Sequence, residues 1–186
     1  MMIKKDTIII INLLGILGCT IISSMALYIQ FVYHELPCQL CQLQRLGLLA
    51  IVYGYILNVL YMPKPFHYAI STLAAIFTSF ISLRQIVLHI VPNSGEYGSS
   101  ILGFHLYTWL FIICTAIIIW DMFILSICEF DRTTGYKYSR GQKVIINSCI
   151  GFYLLILVIN IVNIFFECGF SQCPENPTNY FIHLFK

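Results

Sequence analysis

The chain has 186 residues, of which 59% are hydrophobic and only 10% charged, with a mean hydropathy of +0.86. Soluble domains of this length carry about 25% charged residues, so this balance excludes one and describes an integral membrane protein. Ten basic residues stand against eight acidic ones without gathering into a patch, which excludes a surface that tracks nucleic-acid phosphates.

A helix needs about 20 mostly apolar residues to cross a hydrocarbon core. The first predicted span is 7–32. Lys4 and Lys5 precede it and "SMA" at 24–26 resembles the cleavage site of a secretory leader, but the apolar run continues to Val32, too long for a leader core and right for a span. After "HELPCQLCQLQR" at 34–45 come a second span at 46–61, the turn "MPKPFH" and a third span at 68–91. The polar stretch "PNSGEYGSS" leads to a fourth span at 105–127. "EFDRTTGYKYSRGQK" then separates it from a fifth at 144–166, and the tail is 167–186. The expected architecture is an all-α membrane bundle of about five transmembrane helices forming a single domain, 1–186.

Sidedness follows from the basic residues, because cytoplasmic loops retain them. With five alternating spans, Lys4, Lys5, Lys64, Arg132, Lys137, Arg140 and Lys143 fall on one side and Arg45, Arg84 and Lys186 on the other. The N-terminus is therefore expected in the cytoplasm, and 33–45, 92–104 and 167–186 on the exported face.

That sidedness divides the eight cysteines. Cys19, Cys114 and Cys149 lie within spans and Cys128 at a cytoplasmic helix end, where a thiol behaves as a small apolar residue or stays reduced. Cys38 and Cys41 are exported, as are Cys168 and Cys173, forming two close pairs in a compartment where disulfides persist. Three uses are open to them. As staples they constrain little, since a disulfide across two residues closes a very short loop. As a four-thiolate zinc site, in a metal-binding or metal-transport protein, they would need reducing conditions or prompt loading. As a redox pair they need a positive charge that lowers a thiol pKa, and Arg45 supplies it four residues after Cys41, on the same helical face if the second span begins near Cys41. Arg45 can equally anchor a span end at the interface.

Arg84 and His89 lie in the outer third of the third span. An arginine there is expected to face a polar cavity, a partner or a cofactor, or else to snorkel. His34, His89 and His105 sit near the exported surface as interfacial residues or as a metal or proton-transfer set. Asn160 and Asn163 are expected to bond between helices. Pro174 and Pro177 stiffen the tail after Cys173, and "NYFIHLFK" at 179–186 is expected on the membrane surface.

"PCQLCQLQR" at 37–45 resembles the Pro-Cys-x-x-Cys-x-x-x-Arg element that follows the first span in the DsbB family of membrane thiol oxidases. "SLRQIVLHIVP" at 82–92, "HLYTW" at 105–109 and "CGFSQCPENP" at 168–177 are also similar to members of this family, so the resemblance extends over nearly the whole chain. It implies a four-helix core of the family's kind plus one extra C-terminal span. There is one departure: "PNSGEYGSSILGF" holds no cysteine where the best-known members carry their second pair, which stands here in the tail.

The resemblance further implies electron transfer from a DsbA-like thioredoxin-fold carrier to ubiquinone or menaquinone, in the bacterial inner membrane. Cys168 and Cys173 would receive electrons, with Cys173 facing the carrier and Cys168 reaching Cys38. Cys41 would stand next to the quinone with Arg45 as its electrostatic partner, and Arg84 and His89 would be further quinone contacts. Because such a carrier is itself strongly oxidising, a tightly coupled quinone is needed to draw electrons from it. A reductase of the vitamin K epoxide type also joins a membrane Cys-x-x-Cys to a quinone, but there the pair lies late in the chain. A structural membrane protein with two passive disulfides is the remaining alternative.

Overall fold

A computed structural model describes residues 5–33, 36–90, 100–128, 138–169 and 173. The elements are α1 (Lys5–Tyr33), α2 (Gln39–Tyr61), α3 (Pro65–Leu88), the short strands β1 (Ser100–Ile101) and β2 (Phe104–His105), α4 (Leu106–Ile127) and α5 (Arg140–Cys168). All five helices are long and apolar enough to cross a membrane. The protein is an all-α membrane bundle; lipid cannot hydrogen-bond peptide groups, so helices satisfy them internally.

Two helices begin earlier than their apolar runs predict. α2 starts at Gln39 rather than 46, because Cys38 serves as its N-cap: the Cys41 N–H donates to Cys38 Sγ at 3.3 Å and the Gln42 N–H to the Cys38 carbonyl at 3.0 Å. Arg45 thereby lies within the helix. α5 starts at Arg140 rather than 144, behind a capping box in which the Gln142 N–H donates to Ser139 Oγ and the Ser139 N–H to Gln142 Oε1. Polar residues start both helices through backbone satisfaction, which a hydropathy count does not see.

α2 is the central helix, packed against α1, α3 and α5, while α4 packs against α3. Close approach of α2 to α3 depends on small residues. A β-carbon at Gly54 would stand 2.6 Å from the His67 carbonyl oxygen, and one at Gly47 would stand 3.0 Å from the Thr78 β-carbon. The outer surface carries large apolar side chains such as Phe66, Leu73, Phe80 and Ile119, as lipid requires.

Polar residues collect inside in two layers. Toward the end of the bundle where α2 starts, Gln30, Gln42, Gln44, Arg45, Gln85, Asn163 and Glu167 are buried. Toward the other end, Asn12 bonds Tyr68 and Asn58, Asn58 bonds His67, and Asp121 accepts from Tyr55 Oη at 2.9 Å and Thr72 Oγ1 at 3.3 Å. Of the two asparagines expected to bond between helices, Asn163 does so, exchanging hydrogen bonds with Gln30 of α1. Asn160 donates instead to Ile156 of its own helix.

β1 and β2 pair antiparallel around Leu102 and Gly103, whose φ angles of 53° and 80° are the two left-handed positions of a tight hairpin turn. Several sequence expectations lie outside the described residues: the placement of Lys4, His34, the stretch 91–99, Arg132 and Lys137, the stiffening prolines Pro174 and Pro177, and the terminal 179–186.

Candidate redox site

The two cysteine pairs lie at one end of the bundle. Cys38 and Cys41 occupy the N-cap and first turn of α2, and Cys168 closes α5, which ends beside them because Gln42 of α2 donates to Glu167 of α5 at 2.5 Å. Cys168 and Cys173 are joined by a disulfide, with Cα atoms 4.6 Å apart. Cys38 and Cys41 are unbonded, with sulfurs 2.7 Å apart. A disulfide bond is about 2.04 Å long, so closing this pair requires an approach of roughly 0.7 Å.

The surroundings distinguish the two sulfurs. The Cys38 thiol is pushed up from its ordinary range, first by its hydrogen bond with the Cys41 sulfur and then by burial. Cys38 therefore keeps its proton, and negative charge on the pair resides on Cys41. The hydrogen bond from Cys38 is the foremost support for charge there, and three further features add to it. Cys41 stands in the first turn of α2, where the helix dipole is positive; the Arg45 guanidinium acts on it electrostatically; and Gln85 Nε2 donates to it at 3.5 Å. The same Gln85 nitrogen lies 3.6 Å from Cys38 Sγ. Its orientation is fixed from behind, because Gln44 Nε2 donates to Gln85 Oε1 at 2.8 Å and leaves only the amide donors to face the sulfurs.

Arg45 is buried, and its fork is spread over α1: Nη1 donates to Gln30 Oε1 at 2.5 Å and Nη2 to the Ala26 carbonyl at 2.9 Å. Gln30 is held in turn by Asn163 of α5. The guanidinium thus ties three helices together at the depth of the cysteines. Bidentate, always-charged Arg can do this where Lys, a single point charge, cannot.

A cavity of about 380 Å³ opens beside Cys41. Cys41, Gln44, Arg45 and Gln85 supply its polar wall, while Ile22, Met25, Leu48 and Leu110 are among its apolar lining. Leu102 from the hairpin, Tyr107 and Trp109 close the side toward α4. A mostly apolar pocket of a few hundred Å³ with a few convergent polar groups is the usual form of a small-molecule site.

The other predicted contacts fall differently. Arg84 is exposed on the outer face of α3 and is not part of the cavity lining, whereas its neighbour Gln85 turns inward. One residue along a helix is a 100° rotation, so the two cannot share a face. His89 caps α3 with Nδ1–H donating to the Gln85 carbonyl at 2.8 Å, and its ring stacks 5.6 Å from Tyr107, which stacks on His105 at 5.2 Å. His89 therefore stands behind the cavity wall rather than on it. Among the described residues, no three His, Cys, Asp or Glu side chains are gathered as a metal site.

The family model for "Disulfide bond formation protein DsbB" matches residues 9–96, which contain α1, α2 and α3 with the Cys-x-x-Cys pair, Arg45 and Gln85. Residues 9–96 are thus similar to the DsbB family. It is also 28% identical over 85 residues to the disulfide bond formation protein B of Chromohalobacter salexigens, a match covering 43% of this chain and 49% of that protein. The chain thus spans about half the length of this DsbB relative. No solved structure matches the chain. The family-model match ends before α4, α5 and the tail pair.

Gln30, Gln44, Gln85 and Glu167 are site residues that the motif reading passes over. Their signal in the sequence is a set of polar side chains at one depth in spans that are otherwise apolar.

Proposed function

We propose that the protein is a membrane thiol oxidase that reoxidises a thioredoxin-fold carrier of the DsbA type. It passes the electrons through Cys168–Cys173 and then Cys38–Cys41 to membrane quinone, ubiquinone or menaquinone. The chain sits in the bacterial inner membrane with its N-terminus cytoplasmic and both cysteine pairs on the oxidising side. The observation that carries this reading is the cavity beside Cys41. It is apolar enough for a prenylated ring, and it places a reactive sulfur, a guanidinium and two amides on one wall.

The chain's own residues divide the work. Cys173 offers the outer sulfur of the tail disulfide to a carrier thiolate. The carrier's second thiol then releases Cys173 and leaves the carrier oxidised, and Cys168, freed by the first exchange, attacks Cys38. Cys41 leaves as the thiolate that the helix terminus, Arg45 and Gln85 stabilise. Arg45, Gln44 and Gln85 would hold the carbonyl oxygens of a quinone in the cavity. When bound, the quinone supplies a two-electron acceptor of higher potential than the carrier. Apolar side chains from α1 and α4 exclude water there, so that charge developing near Cys41 is met by fixed donors.

The experiment is quinone reduction by purified protein supplied with a reduced thioredoxin-fold carrier and a soluble quinone, alongside Cys41→Ser and Cys168→Ser. The proposal expects turnover that Cys41→Ser abolishes and that Cys168→Ser abolishes with the carrier as donor. Turnover indifferent to both substitutions overturns the relay, and zinc bound stoichiometrically by four free thiols favours the metal site instead.

A further inference from the structure

Glu167 is a carboxyl group only 2% exposed, in the last turn of a membrane helix, and the relay described above gives it no task. Burying such a group is expensive unless it serves a purpose. It packs beside the first cysteine pair, close enough to feel charge on Cys41, and precedes Cys168 of the second pair in the chain. Its Oε2 accepts from Gln42 Nε2 at 2.5 Å, Gln42 being the neighbour of Cys41. The charged and titratable groups that act on it from α2 are Arg45 and Cys41, while α1 faces this end of α5 with the uncharged amide of Gln30, bound to Asn163 one turn earlier.

Its hydrogen-bond partner suits a group that changes protonation state. Gln42 is itself 4% exposed, and its carbonyl oxygen has no hydrogen-bond partner among the described residues. An amide beside a carboxylate donates N–H to it. Beside a carboxylic acid, the same amide, rotated, accepts the acid proton on its oxygen. The pair stays bonded in either state, which a salt bridge with a lysine in that place would not.

We propose that Glu167 is the general base for exchange between the two cysteine pairs. This rests on the relay proposed above. In the reduced tail, the Cys168 thiol gives its proton to Glu167. The Cys168 thiolate attacks Cys38 Sγ, the Cys168–Cys38 bond forms, the Cys38–Cys41 bond breaks, and Cys41 leaves as a thiolate that takes up the proton held by Glu167. Cys173 then attacks Cys168 and the tail disulfide reforms. Cys38 leaves with the proton that Cys173 loses. The tail pair gives up two electrons and two protons and the first pair gains both, so no other reactant is consumed.

The test follows the exchange itself. Full-length oxidised protein in detergent, without added quinone, is mixed with a large excess of reduced carrier, so that mass action drives electrons into the protein although no quinone draws them. Acid quenching, alkylation and mass spectrometry then report when thiols leave Cys168 and Cys173 and appear on Cys38 and Cys41. Glu167→Gln keeps the size and a hydrogen bond to Gln42 but is not a base. It is expected to slow transfer about 100-fold at pH 7, with a rate that rises about tenfold per pH unit as hydroxide replaces the base, where the wild type changes far less. Glu167→Asp, a shorter base, is expected to keep the shallow pH profile and guards against a folding defect in the glutamine variant. Dithiothreitol reduction of Cys38–Cys41 in a Cys168→Ser, Cys173→Ser background is expected to be indifferent to Glu167→Gln. An unchanged rate and profile in Glu167→Gln, or equal slowing of the direct route, overturns the assignment while leaving the relay standing. A wild type in which electrons never pass from tail to first pair overturns the relay, and this inference with it.

Discussion

Gly54→Ala tests the packing that holds α2 in place. A β-carbon at this position would lie 2.2 Å from Ser71 Oγ, 2.6 Å from the His67 carbonyl oxygen and 2.9 Å from the Ser71 backbone nitrogen. The hydroxyl can rotate away, but the backbone atoms cannot. An ordinary carbon-to-oxygen contact is about 3.3 Å or more, so α2 and α3 must part by roughly 0.7 Å. Overpacking of this kind costs about 1–3 kcal/mol. Distorting the bond from Ser71 Oγ to the Ile51 carbonyl, 2.9 Å long, adds about 0.5–1 kcal/mol. For a chain of this size each kcal/mol lowers the melting temperature by about 2–4 °C, so a loss of about 3–16 °C is expected. The assay is thermal unfolding in detergent, followed by a thiol-reactive fluorophore that reports exposure of buried Cys19 and Cys114. Gly18→Ala, whose β-carbon meets nothing within 4 Å, is the control. Gly54→Ala combined with Ser71→Ala is expected to recover only part of the loss, because the His67 carbonyl remains. A Gly54→Ala protein that melts with the Gly18→Ala control would refute the packing argument.

Other consequences follow from the polar layers. Because Cys38 is held protonated by its bond to Cys41 and by burial, iodoacetamide at neutral pH is expected to label Cys41 ahead of Cys38 in the reduced protein; equal labelling, read by peptide mass spectrometry, contradicts this. A double-mutant cycle of Gln30→Ala with Asn163→Ala is expected to give a coupling of about 0.6–1.7 kcal/mol in detergent unfolding, since the two amides bond across helices; additive losses contradict it. Asp121→Leu strands the hydroxyls of Tyr55 and Thr72 and is expected to destabilise by about 1–3 kcal/mol, most of which Tyr55→Phe and Thr72→Val in the same chain should restore. Ser139→Ala removes the capping box of α5 and is expected to cost about 1 kcal/mol, read in the same unfolding assay.

Much of the fold is legible in the sequence because lipid imposes a length and a composition on every span, and Cys-x-x-Cys followed by arginine marks one site. The faces of the helices are less legible. α2 and α5 are apolar nearly all round, so periodicity does not say which side of either meets a neighbour. Arg84 and Gln85 show the consequence: charge draws attention to the first, while the turn of α3 sends the second to the sulfurs. Uncharged amides such as Gln30, Gln44 and Gln85 carry no motif, and their meaning comes from donors and acceptors on other helices. Glu167 is set by tertiary structure in the same way, because only the packing of α5 against α2 brings it to Gln42. The N-terminal turns of α2 and α5 escape a hydropathy count because capping by Cys38 and Ser139, not apolarity, begins those helices.

The central claim, that two cysteine pairs feed one quinone site, is tested most directly by counting. The fully reduced protein, freed of reductant and kept anaerobic, is titrated with soluble quinone while quinol is measured and thiols are mapped by alkylation. The account predicts one quinol for each of the two cysteine pairs, with Cys38, Cys41, Cys168 and Cys173 all oxidised. It predicts half that yield in Cys168→Ser and none in Cys41→Ser. Quinol formed in Cys41→Ser, or a wild type in which the tail thiols stay reduced while quinone remains in excess, would contradict it.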